Sequence, residues 1–236
     1  MINFFTTLRA RNPLFYYLGI GYLLVFLIFL IGFALCNFEI ALICHWIKPF
    51  KFSLSFALYF MTLGWFMEYL KGVWGEKKIK TISQWLALLI LFEMIVILLQ
   101  SALSYTNMML YHLANLFILL NTALLIYIAA QFFRNLSLKP ISYLWSIRAS
   151  FLVFIVSSMI GMYLVQAYGP MLPDNKHFGL PFSQLSSPRQ NLISLHFIGL
   201  HFLQALPLCC YYLKRGKTFI FMSVFLYLSI CLIAFF

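Results

Sequence analysis

Long apolar runs alternate with short polar linkers along the whole chain. Seven runs approach or exceed the about 20 residues that a helix needs to cross the hydrocarbon of a bilayer. They are 14–36, 52–70, 82–100, 108–132, 143–167, 192–213 and 218–236. Strands of a membrane barrel would be about half as long and would alternate apolar with polar, which these runs do not. The pattern predicts an all-α integral membrane protein: one domain over 1–236, a bundle of seven transmembrane helices. Two edges are soft. Residues 37–50, "NFEIALICHWIKPF", are apolar but too few for a span, and carry Glu39, His45, Trp46 and Lys48. They read either as an extension of the first helix or as an interfacial segment anchored by Trp46. Pro49 then opens the second span, a position where proline is tolerated. The last run has no polar tail and is compatible with a partial span.

Most linkers are short, so consecutive helices are expected to be antiparallel neighbours. The exception is 168–190, "YGPMLPDNKHFGLPFSQLSSPRQ", rich in proline, glycine and serine. On the outer face it reads as a lid or partner-binding loop, or as a solvated connector. No internal repeat is visible, and an odd number of spans fits poorly with an inverted-repeat transporter.

Composition strengthens the membrane reading. The chain is 64% hydrophobic and 9% charged, against about 45–50% and about 25% in soluble domains. Its 27 phenylalanines have no explanation in the span pattern. The net charge of +11 comes from cations in the linkers, a distribution that orients membrane proteins. With the N-terminus cytoplasmic, that side collects Arg9, Arg11, Lys71, Lys77, Lys78, Lys80, Arg134, Lys139, Arg148, Lys214, Arg215 and Lys217. Only Lys48, Lys51, Lys176 and Arg189 fall outside. The C-terminus is then extracytoplasmic. No linker can hold a nucleic-acid module, so no nucleic-acid partner is expected. The first run is longer than a signal-peptide core and lacks a cleavage site, so it reads as a retained span after a cytoplasmic lead-in. Among the cysteines, adjacent Cys209 and Cys210 point about 100° apart around a helix and are poorly placed to share a metal. Cys36 and Cys44 are the one pair compatible with a disulfide near the surface.

Polar side chains inside spans are costly, which makes them the candidates for function. Glu93 lies past the midpoint of the third span. A carboxyl group there must be protonated, paired or in a water-filled cavity. Glu68, at the cytoplasmic end of the second span, can pair with Lys71 one turn on. With the topology above, His45, His112, His177, His196 and His201 all fall in the outer half. Imidazole ligates haem, zinc and copper, and a membrane haem needs axial ligands from opposite sides. His112 with His196 or His201 is the candidate cofactor-binding set, with haem b the group considered. His196 and His201 do not form a two-histidine motif by themselves. Five residues of helix set them about 140° apart and about 7.5 Å along the axis. His201 and Gln204 share one stripe, and His196 points elsewhere. Asn115, Asn121 and Gln166 could complete a buried polar network, beside a kink expected at Pro207. The plainer alternative is that these groups tie helices together through hydrogen bonds of about 0.6–2 kcal/mol. No zinc-protease, haem-attachment, nucleophile-elbow, phosphate-loop or dinucleotide motif is present.

The stretch from "GLPF" through "LISLHFIGLHFLQALPL", residues 179–208, resembles a group of small, functionally uncharacterised bacterial multi-pass membrane proteins. There a Gly-Leu-Pro loop precedes a helix patterned like His196, Phe197, Gly199, His201, Gln204 and Pro207. The resemblance implies a bacterial inner-membrane location and no particular activity. Three functions follow as expectations: a haem- or metal-binding redox or sensor protein using the outer histidines; a small-solute or ion transporter using Glu93 and a polar helix network; or an accessory subunit, meeting a membrane-protein partner or its own copy within the lipid bilayer.

Overall fold

The apolar runs become helices. The computed structural model describes residues 4–35, 40–103, 107–134, 140–168 and 188–235, with backbone alone at 40–45, 168, 188–190 and 234–235. Among these residues there is no strand. The order is α1 (Phe4–Arg11), α2 (Pro13–Leu35), α3 (Ile40–Met67), a 3-10 turn (Glu68–Leu70), α4 (Lys71–Leu103), α5 (Met108–Phe133), α6 (Ile141–Tyr168), α7 (Pro188–Tyr212) and α8 (Lys217–Phe235).

Five stretches are long and apolar enough to cross a membrane: Pro13–Leu35, Trp46–Leu103, Met108–Phe133, Ile141–Ala167 and Asn191–Tyr212. A shorter apolar helix covers Lys217–Ile233. The second stretch holds two of the spans expected from the sequence, 52–70 and 82–100. At 58 residues a straight helix would reach about 87 Å, several times what the about 30 Å hydrocarbon needs. It doubles back instead. Ser83 Oγ donates to Met67 Sδ at 3.7 Å, and Lys48 Nζ donates to Gln100 Oε1 at 3.0 Å, so α3 and α4 run antiparallel. The reversal is the 3-10 turn plus Gly75, whose φ of 74° and ψ of 160° break the helix where an L side chain would be strained.

Two expectations need correction here. Residues 71–81 are not an open loop but helix on both sides of Gly75, because Glu76, Lys77, Lys78 and Lys80 are all good helix formers. Pro49 does not open a helix: α3 begins at Ile40 and carries Pro49 inside it. From Ile40 onward, the soft segment 37–50 therefore belongs to the second long helix, neither an extension of the first nor a separate element. Its proline only removes the amide that would have bonded the carbonyl of residue 45.

The described residues form two units, one ending at Asn121 and the other beginning at Thr122, with α5 contributing to both. In the N-terminal unit the phenylalanines find a use. Along α2 and α3, Phe15 pairs with Phe60 at 5.1 Å, Tyr22 with Phe56 at 5.5 Å, Phe26 with Phe50 at 4.7 Å and Phe29 with Trp46 at 6.0 Å. As one number rises the other falls, which is an antiparallel ladder of rings. Hydrophobic burial gives little drive between helices surrounded by lipid, so such close packing must hold them. Gly64 admits the neighbouring chain: a Cβ there would lie 2.9 Å from Leu8 Cδ1 and 3.1 Å from Phe15 Cβ. The lead-in is thereby docked as α1, with Leu8 fully buried and Arg11 donating to the Trp65 carbonyl at 3.3 Å.

In the C-terminal unit small residues do the same work. Ser146, Ser150, Val153, Ser157, Ile160 and Leu164 form the buried stripe of α6, at the three- and four-residue spacing of one helix face. α7 packs antiparallel along it, with His196 beside Ser157 and Tyr211 beside Tyr143. α8 returns against α7, with Tyr227 bonded to Leu195 and Ile220 packed with Leu206.

Candidate functional site

Glu93 is placed by helix register. The buried face of α4 reads Ile79, Ile82, Ser83, Leu86, Ile90, Glu93, Met94, Ile97 and Gln100. Leu86, Glu93 and Gln100 are successive sevens on that face, so the carboxyl and the amide turn inward with the leucine. Glu93 is 4% exposed and Gln100 2%. Three other elements supply their surroundings. From α3, Lys48 reaches Gln100 Oε1 and lies in electrostatic range of Glu93. Lys51, one turn further, is coupled electrostatically to Lys48. From α2, Tyr22 Oη donates to the Ile90 carbonyl at 3.4 Å, one turn before Glu93. Tyr59 of α3 donates to Asn121 Oδ1 of α5 at 2.7 Å. Both phenols also lie in electrostatic range of the Glu93 carboxyl.

The result is an acid, a nearby ammonium, two phenols and two amides enclosed among α2, α3, α4 and the first part of α5. Such a group can hold a proton or a small cation at the carboxyl and let the ammonium compensate its charge. Lys48, Tyr22 and Tyr59 were not evident from the sequence. The signal that could have found Gln100 was its spacing of seven from Glu93.

The histidines sit differently. His196 Nδ1 meets the Ser157 carbonyl at 2.6 Å. Its ring lies over Gly161, where a Cβ would be 2.5 Å from Cε1. Next to it Ser157 Oγ and Tyr227 Oη are bonded at 2.5 Å, and Tyr227 Oη donates on to the Leu195 carbonyl at 3.1 Å. α6, α7 and α8 are thus joined by one chain of polar contacts. Ser157 and Gly161 supply the small-xxx-small spacing that lets the helices approach. His201 stands apart: it packs edge-on to Phe197 with centroids 4.5 Å apart and interacts with Gln204. Gln204 Oε1 is buried with no hydrogen-bond partner among the described residues.

His112 is exposed on α5, edge-on to Tyr111, and belongs to the N-terminal unit, whereas His196 and His201 belong to the C-terminal one. Asn115 is partly buried. Asn121 is buried and accepts from Tyr59 within the N-terminal unit. Gln166, expected to be buried, is exposed, because it falls in the last turn of α6 away from the packed stripe. Glu68 is half-buried and pairs with Lys71 at 2.7 Å. The side chains of Cys36, Cys44, His45 and His177, and nearly all of the outer loop 168–190, lie outside the described residues. No cluster of three or more His, Cys, Asp or Glu side chains is assembled among the described ones. The chain matches no known protein family, no curated protein and no solved structure.

Proposed function

We propose that this is a multi-pass inner-membrane protein that moves protons, or a small cation or solute coupled to them, through the polar site around Glu93. The observation that carries this reading is the enclosure of Glu93 at 4% exposure together with Lys48, an acid and a base on different helices of one apolar unit. A carboxyl group buried near an ammonium among apolar helices does little to stabilise the bundle, since desolvation opposes the Coulomb energy the ammonium supplies. Retaining such a group within membrane-crossing helices is the usual mark of an ion or proton pathway. The proposed topology has seven spans. α3 and α4 each cross once, α8 is the last crossing, the N-terminus is cytoplasmic and the C-terminus extracytoplasmic. The linker cations favour this orientation.

The test uses purified protein in liposomes loaded with a pH-sensitive dye, under an imposed proton or cation gradient. Glu93→Gln keeps shape and hydrogen bonding but removes the charge, and should abolish the flux. Flux equal to the parent's would sink the reading. A visible absorbance band lost on replacing His112, His196 or His201 would favour a haem protein instead. Stable co-purification with a larger complex, combined with tolerance of Glu93→Gln, would favour an accessory subunit.

A further inference from the structure

A second feature of the N-terminal unit lies away from Glu93. The Asn12 amide donates to Ser83 Oγ at 2.9 Å, which brings the α1–α2 junction against α4 one turn after Lys80. Arg11 stacks over Trp65 at 3.9 Å and over Tyr69 at 5.3 Å, which brings the same junction to the end of α3. Two separate pieces of chain thus deliver cations to one end of the unit: Arg9 and Arg11 from α1, and Lys71, Lys77, Lys78 and Lys80 from α4. Among the described residues Glu68 and Glu76 are the acids near them in sequence, and Glu68 is occupied by Lys71.

Arg9, Lys77, Lys78 and Lys80 are exposed. Around them stand aromatic rings: Phe4 stacked on Trp65 at 5.4 Å, Tyr17 under Arg9 at 5.6 Å, and Trp74 under Lys78 at 5.1 Å. Trp85, about one turn beyond Lys80, is 57% exposed. Tryptophan and tyrosine with flanking cations are the side chains that settle at the headgroup level of a bilayer. A cluster of basic residues there selects anionic lipids over zwitterionic ones.

We infer that the α1–α4 end of the N-terminal unit is a binding surface for anionic phospholipid headgroups, with Arg9, Lys77, Lys78 and Lys80 taking the phosphates and the aromatic rings seating the glycerol level. Gly75 has a part in this. Its positive φ turns the chain so that the cations after it lie on a helix running back along the bundle, toward the α1–α2 junction at Asn12. The surface does not depend on the proposed flux through Glu93.

The test is tryptophan quenching of the full chain in phosphatidylcholine nanodiscs, titrated with brominated phosphatidylglycerol or brominated phosphatidylcholine. The anionic lipid should reach half-quenching at a mole fraction about tenfold lower, and raised salt should narrow that gap. The K77Q/K78Q/K80Q variant should lose most of the preference, while K77R/K78R/K80R retains it. Equal quenching by the two lipids, or a preference untouched by salt, overturns the proposal without any variant. So does a preference that survives in the glutamine variant. Loss of the preference on adding inorganic phosphate at constant ionic strength also overturns it, since the surface would then be a soluble-anion site.

Discussion

Gly199→Ala is the sharpest test of how the C-terminal unit is held. A methyl group at Gly199 would overlap both Ser157 Oγ and Tyr227 Oη, and would sit 2.7 Å from Tyr227 Cζ. Those two oxygens are the middle of the polar chain that joins α6, α7 and α8. The tyrosine ring is packed among Val153, Leu195 and Cys231 and has little room to swing. Either the hydroxyls separate or the helices do. Overpacking costs about 1–3 kcal/mol. Loss of an interhelical hydrogen bond adds about 0.6–2 kcal/mol, and the better helix propensity of alanine returns about 1 kcal/mol. The net expectation is a destabilisation of about 1–4 kcal/mol. The matched control is Gly21→Ala, where a Cβ meets nothing within 4 Å and only the propensity gain applies. Reversible unfolding in mixed detergent micelles, followed by circular dichroism, measures both. The clash is assigned to particular atoms, so it can also be relieved. In a Ser157→Ala, Tyr227→Phe background the same glycine substitution should cost at least about 1 kcal/mol less, a coupling typical of contacting residues. The reasoning fails if Gly199→Ala is as stable as Gly21→Ala, or if its cost is unchanged in that background.

Two further substitutions probe the N-terminal unit. Tyr59→Phe leaves the buried Asn121 without its 2.7 Å donor. It should destabilise by about 1–3 kcal/mol in the same unfolding measurement, whereas Tyr17→Phe, on an exposed ring, should change little. Arg11→Lys keeps the charge but gives up the flat guanidinium stacked on Trp65. A loss of about 0.5–2 kcal/mol and a changed Trp65 emission are expected, and an unaltered spectrum would argue against the stacking.

The helices were legible in the sequence because their cause is local: a run of apolar residues needs no partner to be a helix in lipid. What joins the helices was less visible. The ladder of rings between α2 and α3 depends on which phenylalanine of one helix meets which of the other, a property of register that neither run contains alone. The doubling back between the second and third runs was expected, but the form of its turn at 68–75 was hidden for another reason. The residues just after it are good helix formers, and only a 3-10 turn and the positive φ of Gly75 separate that stretch from continuous helix. Pro49 misled in the opposite direction, since a proline permitted at a helix start is also tolerated inside a helix that neighbouring helices support.

The polar residues sort by the same logic. Glu93 could be picked out by its cost, because a carboxyl group in an apolar run needs a reason wherever it points. Lys48, in electrostatic range of it, could not be picked out as its neighbour. It stands in a segment whose charges read as interfacial, and only the antiparallel return of α4 brings it to Gln100. The histidine pair of α7 was correctly divided by helix geometry, yet the sequence offered no way to tell which ring was already engaged. His196 is engaged by a backbone carbonyl, which every residue carries and no motif can mark, and Gly161 and Ser157 make room for it by being small. His201 lies instead with a glutamine whose buried carbonyl oxygen lacks a described partner. The contacts of His196 with Ser157 and Gly161 account for its place between α6 and α7, while His201 is left to interact with Gln204 on its own helix.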